Sequence, residues 1–215
     1  MIRTKNDRTF HAMDNDAEYR LLQETLKAWV SLPDDAWPLL KAVFRLQRLA
    51  PREFVLKPGD PPGHVLFVAS GLVRYFSGGR RQREFTKVFL RENQFSPVLE
   101  GCPLEGDHHC GIQALEASAV LVADADAFRA LYDQHPAFDR LGRLITEGWL
   151  RQKEALALAF QQQDAKDRYQ TFVRRNPDLV QRVSQVHISS YLGITEVSLS
   201  RIRRTLARTP SSVVR

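Results

Sequence analysis

Apolar residues early in the chain recur at helical spacing. Tyr19, Leu22, Leu26, Trp29 and Val30 share one face, predicting a helix from about residue 16 to residue 31. Pro33, Asp34 and Asp35 break it, after which Trp37, Leu40 and Val43 or Phe44 predict a second, short helix. Residues 1 to 16 show no periodicity and are expected to form a flexible N-terminal arm. From about residue 46 to residue 125 the pattern changes to short apolar runs divided by turn chemistry. Phe54-Val55-Leu56, His64-Val65-Leu66-Phe67-Val68 and Leu72-Val73-Arg74-Tyr75-Phe76 are separated by Lys57-Pro58-Gly59-Asp60-Pro61-Pro62-Gly63 and by Ser70-Gly71, with Gly78-Gly79 beyond. Phe85, Val88, Phe89 and later Val120, Leu121 and Val122 continue the series. Short strands punctuated in this way predict a β-sandwich, barrel or roll.

Pro136 then suits the first position of a helix, where its missing N–H costs no bond. Phe138, Leu141, Ile145, Trp149, Leu156 and Phe160 form an apolar stripe running to about residue 161, a helix of roughly 39 Å at 1.5 Å per residue. One small β domain does not need so long a cover, so part of the stripe, with Leu141, Ile145, Trp149 and Leu156, is expected to pair with a second copy of the chain. Residues 164 to 167 form a polar bridge to a last segment opened by Tyr169, Phe172 and Val173.

Within that segment the pattern is two short helices about a tight turn. Ile188, Tyr191 and Leu192 give the first an apolar face, Gly193 permits the turn, Ile194 fills the angle, and Thr195 can cap the second helix through its hydroxyl. Leu199, Ile202 and Leu206, at i, i+3 and i+7, form the buried side of the second helix. Its open side carries Glu196, Val197, Ser198, Ser200, Arg201 and Arg204. A DNA major groove is read by such groups: arginine forks onto a guanine edge, glutamate accepts from a cytosine amino group and valine meets a thymine methyl. The serines, with Arg203, can hold phosphates.

Charge sharpens this reading. The 215 residues carry a net charge of +6, and the surplus lies at one end: residues 166 to 215 hold ten Lys or Arg against three acids, a net of +7, whereas the preceding 165 hold 21 basic and 22 acidic residues. A basic module on a neutral body is the composition of a polyanion-binding domain joined to a sensing domain. Hydrophobic residues, at 43%, are sufficient for a real core. No run approaches the roughly 18 to 20 apolar residues of a membrane span, and the opening MIRTKNDRTFHAMDND is too polar for a secretory segment. A cytoplasmic location with no membrane partner is expected. Cys102 and Cys110 are too few for a disulfide scaffold or a four-thiolate cluster.

Over about residues 20 to 208 the chain resembles the catabolite-activator and FNR-type (Crp/Fnr) transcription regulator superfamily. The resemblance rests on the Lys57-Pro58-Gly59-Asp60 turn, Ser70-Gly71-Leu72-Val73-Arg74, Ile112-Gln113-Ala114-Leu115-Glu116, the long helix, and Tyr191-Leu192-Gly193-Ile194-Thr195 with Leu199-Ser200-Arg201-Ile202-Arg203. It implies an α+β fold: an N-terminal cyclic-nucleotide-binding-like β-roll (a double-stranded jelly roll), a long dimerisation helix and a C-terminal winged helix-turn-helix. The corresponding divisions are an effector-sensing domain with N-terminal helices at 17–135, the dimerisation helix at 136–163 and the DNA-binding domain at 164–215. The implied function is sequence-specific regulation of transcription by a homodimer on a palindromic operator, with double-stranded DNA and RNA polymerase as partners and no chemistry of its own. By position the family's base readers fall on Glu196, Val197 and Arg201, and Thr195, Ser198, Ser200, Arg203 and Arg204 complete the expected DNA contacts. Val197 departs from the family pattern, which usually has glutamate there, and the acid stands one place earlier. The operator is therefore not expected to copy the family's.

Nucleotide-binding members of the family show a Gly-Glu pair for the ribose and an Arg-Ser/Thr-Ala run for the cyclic phosphate. This chain has Phe95-Ser96-Pro97-Val98 and His108-His109-Cys110 instead, with no arginine from Asp107 to Gly111. Cyclic AMP is not the expected effector; another small molecule remains open, with its pocket unassigned, and no cofactor is expected. Cys102, His108, His109 and Cys110 bring soft and borderline ligands together, so a metal- or redox-sensing regulator is an alternative. Their spacing matches no zinc pattern, and loop histidines with packed cysteines are the plainer reading. A cupin-like metalloenzyme is a further alternative, but it needs two histidines one residue apart on a strand with a carboxylate nearby, and His64-Val65-Leu66 lacks them. No triad, P-loop or dinucleotide fingerprint marks a catalytic residue.

Overall fold

The computed structural model describes residues 16–61, 63–78, 84–96 and 110–208. Apart from Asp16, the expected N-terminal arm lies outside them. Helix α1 (Asp16–Lys27) has Asp16 and Glu18 in its first turn and Lys27 in its last, the charge order that suits the helix dipole, and it buries Leu22 and Leu26. It stops short of residue 31 because the amides of Trp29 and Val30 both turn back to the Leu26 carbonyl. Trp29 then leans on Phe95, ring centroids 5.6 Å apart. Helix α2 (Ala36–Val43) runs directly into the first strand.

Eight strands follow: β1 (Phe44–Leu49), β2 (Phe54–Leu56), β3 (His64–Ser70), β4 (Leu72–Ser77), β5 (Phe85–Arg91), β6 (Gln94–Phe95), β7 (Cys110–Ala114) and β8 (Ser118–Asp124). They form two antiparallel four-stranded sheets, ordered β1-β8-β3-β6 and β2-β7-β4-β5. The Lys57 to Asp60 turn is closed by the Lys57 amide donating to the Asp60 carboxylate at 2.9 Å. Gly71, at φ 85°, joins β3 to β4 where an added Cβ would meet Ser118 Oγ at 2.3 Å. Strand β3 reads as an unbroken apolar run because both its faces are covered. Leu66 and Val68 enter the core between the sheets with Val73, Tyr75, Ile112 and Val120. Val65 and Phe67 face a second core built with α1 and α2.

That second core is closed by the short helix α3 (Ala125–Arg129) and the first half of α4 (Pro136–Gln162). Pro136 is at the start of α4, as the sequence predicts, and the His135 ring accepts from the Ala137 amide as its cap. Phe138, Leu141 and Ile145 are buried in the roll, and Trp149 donates its indole N–H to the Phe95 carbonyl at 2.9 Å. This corrects one expectation: Leu141 and Ile145 are covered by their own domain and are not free for a second chain. Beyond Lys153, which still donates to the Lys87 carbonyl of β5, the helix leaves the roll; Leu150, on its outer side, is 67% exposed and Leu158 46%.

The remaining elements are α5 (Ala165–Arg175), α6 (Pro177–Arg182), α7 (Gln185–Leu192) and α8 (Glu196–Arg208). They enclose a third core of Tyr169, Phe172, Leu179, Val183, Ile188, Leu192 and Leu199. Leu72 of β4 and Phe89 of β5 belong to the same core, so the helical domain is packed onto the roll. The fold is α+β as expected: a β-roll, a long helix and a helical C-terminal domain. Among the described residues no strand follows α8, so the wing of the expected winged helix-turn-helix is not among them.

Candidate nucleic-acid interface

Helix α7 ends at Gly193, whose φ of 67° is left-handed. The Ile194 amide turns back to the Ser189 carbonyl at 3.0 Å, the closure a glycine C-cap permits. The turn is also crowded: a Cβ on Gly193 would stand 2.9 Å from the Phe160 ring of α4. Thr195 caps α8 by accepting from the Ser198 amide at 3.1 Å. Leu199 is fully buried, and Ile202 and Leu206 pack against the third core. The inner side of α8 is thereby fixed, and its outer side is set with it.

Glu196, Val197, Ser200, Arg201, Arg203 and Arg204 are exposed on that outer side, with Val197 61% exposed. Ser198 is half-buried and shares a 2.9 Å hydrogen bond with Thr195, so both hydroxyls serve the cap. Among the described residues Arg201, Arg203 and Arg204 form no ion pair with an acidic side chain. Arg203 and Arg204 line an open groove of about 680 Å³ together with Ser200, Gln170, Arg174 and Gln185. Arg174 is the residue that sequence reading missed as part of this surface. It was counted in the basic surplus, but its place beside α8 depends on how α5 packs, which periodicity does not state.

The opposite side of the helical domain is held by the roll. Strand β5 is a sheet edge, and Ser190 of α7 occupies it: the Thr86 amide donates to Ser190 Oγ at 2.9 Å, and Ser190 Oγ donates to the Glu84 carbonyl at 2.8 Å. Phe89 meets Tyr191 and Phe172 at centroid distances of 5.4 and 6.3 Å. Arg182 forks between Glu116 at 2.6 Å and Glu92 at 2.7 Å, and Arg91 pairs with Asp178. The hydrogen bonds it donates to Glu116 and Glu92 hold the Arg182 guanidinium charged. Burial is the largest single influence on Glu92 and opposes its ionisation, but the Arg182 hydrogen bond and charge, together with backbone hydrogen bonds, outweigh it and its pKa is lowered. The hydrogen bond from Arg91 lowers that of Asp178. His187, on α7, is pushed down to about 4 by burial and by the positive charge of Arg74, partly offset by Glu84.

Of the candidate metal or redox residues, Cys102, His108 and His109 lie outside the described residues. Cys110 opens β7 and is buried, with Lys87 Nζ 3.4 Å from its sulfur. Among the described residues no three His, Cys, Asp or Glu side chains converge to hold a metal ion. Ser96 is fully buried and accepts from the Leu66 amide at 2.8 Å, while Pro97 and Val98 lie outside the described residues. No described helix is long and apolar enough to cross a membrane.

Residues 46–135 match the cyclic nucleotide-binding domain family. No curated protein matches the chain. Solved structures do. FixK2 from Bradyrhizobium japonicum is 20% identical, with a TM-score of 0.63 over 77% of this chain and 85% of that one. A variant of CooA from Carboxydothermus hydrogenoformans is 20% identical, with a TM-score of 0.62 over 79% and 78% of the two chains. A protein from Eubacterium rectale assigned to the Crp/Fnr family is 13% identical, with a TM-score of 0.61 over 82% and 84%. At these identities the likeness is one of fold. The chain is a cyclic nucleotide-binding-type β-roll joined to a helical domain. That is the fold of the Crp/Fnr-type transcription regulators.

Proposed function

We propose that this chain is a sequence-specific, DNA-binding transcription regulator that uses α8 as its recognition helix. The observation that carries the reading is the division of α8 into two sides. Leu199 anchors one side in the third core, and the other offers Arg201, Arg203 and Arg204 without a carboxylate partner among the described residues. Exposed arginines on a rigid, capped helix are the groups that phosphates and guanine edges require. Arg201 reads a base, with Glu196 and Val197 beside it at the leading turn. Arg203, Arg204 and Arg174 hold phosphates along the groove, and Ser200 adds a hydroxyl donor. Thr195 and Ser198 shape the helix start rather than contact DNA first.

Two copies pair along the outer side of α4, with Leu150 and Leu158 in the seam, so the operator is an inverted repeat whose halves lie about 34 Å apart. RNA polymerase is the further partner that the fold's resemblance implies. The roll senses a small molecule other than cyclic AMP, since the chain offers no arginine between Asp107 and Gly111 for the phosphate. Selection from a random duplex pool tests the reading. Enrichment of an inverted repeat supports it; a pool that emerges unchanged would overturn it.

A further inference from the structure

The long helix ends against the turn between α7 and α8. Phe160, in the last turn of α4, approaches that turn so closely that a Cβ on Gly193 would stand 2.9 Å from its ring. Arg168 of α5 lies over the same ring, its guanidinium carbon 4.8 Å from the ring centroid. It also donates from Nη1 to the carbonyl of Gln163, the C-cap of α4, at 2.7 Å, and from Nε to the carbonyl of Leu192, the last residue of α7, at 3.3 Å. One guanidinium and one ring thus join the ends of two helices to the turn that leads into the third.

Folding alone does not call for this joint. Phe160 is 43% exposed, and among the described residues it joins none of the three cores. A smaller side chain at 160 would leave those cores closed. The carbonyls at a helix end need donors, but water or a lysine supplies them; the planar fork of arginine serves two helix ends in a fixed geometry while stacking on a ring. Docking on β5 holds the helical domain to the roll. The ring and the fork hold it to α4, and α4 is the element that reaches a second copy.

We propose that Phe160 and Arg168 are positioning residues that set the separation of the two half-sites read by the dimer. The inference rests on the reading of α8 and of the α4 seam given above. Leu158 and Phe160 stand two residues apart, about 200° around a helix, so one turn of α4 presents Leu158 to the partner and Phe160 to the reading head. A rotation or shift of α4 in the seam is passed through the ring to the Gly193 turn and so to α8. A one-base-pair change in the operator's spacer moves the second half-site by about 3.4 Å and by about 35° around the duplex. Locked reading heads meet such a site only by twisting or bending the DNA. A loosened joint meets it by swivelling instead.

Spacer preference is the readout, since a mere loss of packing would not move it. The inverted repeat recovered by selection is rebuilt with its spacer one base pair shorter and one base pair longer. A duplex with a single half-site, intact or scrambled, reports base reading separately. The parent should bind both altered spacers at least about tenfold more weakly, the penalty for deforming the duplex. Phe160→Ala should bind all three spacers within about threefold of one another, because the joint and not the DNA yields, and should discriminate the intact from the scrambled half-site as the parent does. Arg168→Lys, which keeps the charge but not the fork, is an independent arm and should relax in the same way, while Phe160→Tyr should keep the strict preference. A parent indifferent to spacer length, or a Phe160→Ala or Arg168→Lys protein that keeps the parent's preference, would overturn the proposal and leave the reading of α8 standing. A parent that does not discriminate the single half-site would overturn that reading, and this proposal with it.

Discussion

Arg182 on α6 donates to Glu92, on the turn after β5, at 2.7 Å, and so ties the helical domain to the roll. The same guanidinium reaches Glu116 at 2.6 Å, and the Arg91–Asp178 pair stands beside it. Around these charges lie Leu72 and Phe89 of the roll, already counted within the third core. The two domains therefore share apolar packing with a polar clamp at its rim, and the orientation of α8 is set by both. Since α7 takes the contact with β5, the outer side of α8 is left open.

Replacing Arg182 with Gln should weaken this docking without unfolding either part. The clamp is partly exposed, so its loss costs about 1 to 2 kcal/mol, more than an isolated surface pair because one fork serves two carboxylates. The Thr86 amide, which donates across the seam to Ser190, is the reporter. Its hydrogen exchange should quicken in Arg182→Gln while amides of β3 stay protected. Unchanged protection at Thr86 would show that apolar packing alone holds the domains.

Docking should also weaken in mild acid. His187 has a folded pKa of about 4, below the 6.5 of an unburied histidine. Undocking or unfolding lets it take up a proton. Its contribution is thus intact above pH 6.5 and is lost progressively as the pH falls from 6.5 through about 4. The lowered carboxylates Glu92 and Asp178 add a second loss at lower pH. Melting temperature against pH should decline across the first window in the parent chain and stay flatter in His187→Gln. Parallel curves for the two proteins would assign the acid sensitivity elsewhere.

The long helix separates folding from assembly. Ile145→Asp places a charge in the roll's core and should destabilise the domain by about 4 kcal/mol or more. Leu158→Asp, at a side chain 46% exposed in the single chain, should leave the melt nearly unchanged. By removing apolar contact from both halves of a symmetric seam, it should raise the dimer dissociation constant about a hundredfold. Light scattering decides: a Leu158→Asp protein that stays as fully dimeric as the parent would place the seam away from this face.

Much of this architecture was legible in the sequence because local chemistry fixes it. Pro136, the Lys57 to Asp60 turn, Gly193 and the Thr195 cap each impose a backbone feature that neighbours do not override, and the structure has each of them in that role. The i, i+3, i+7 spacing of Leu199, Ile202 and Leu206 likewise marks the buried side of α8. Partners across space were not legible. Ile145 and Phe160 read as one apolar stripe, and only packing shows that the first belongs to the roll while the second is 43% exposed and faces the Gly193 turn. Leu72 and Phe89 read as ordinary strand residues, although they complete the core of the helical domain. Arg182 enters the sequence reading only as part of the basic surplus, and its two carboxylate partners emerge from the packing of α6 on the roll.

The most direct test of the recognition-helix assignment is a salt-matched titration of the parent chain, Arg201→Ala and Arg203→Ala. Each is run on the inverted repeat recovered by selection and on a scrambled duplex. Arg201→Ala should lose about 1 to 3 kcal/mol on the selected site and much less on the scrambled one, because a base contact carries selectivity. Arg203→Ala should lose affinity on both duplexes alike, because a phosphate contact does not. An Arg201→Ala protein that keeps full affinity and full selectivity for the selected site would contradict the assignment.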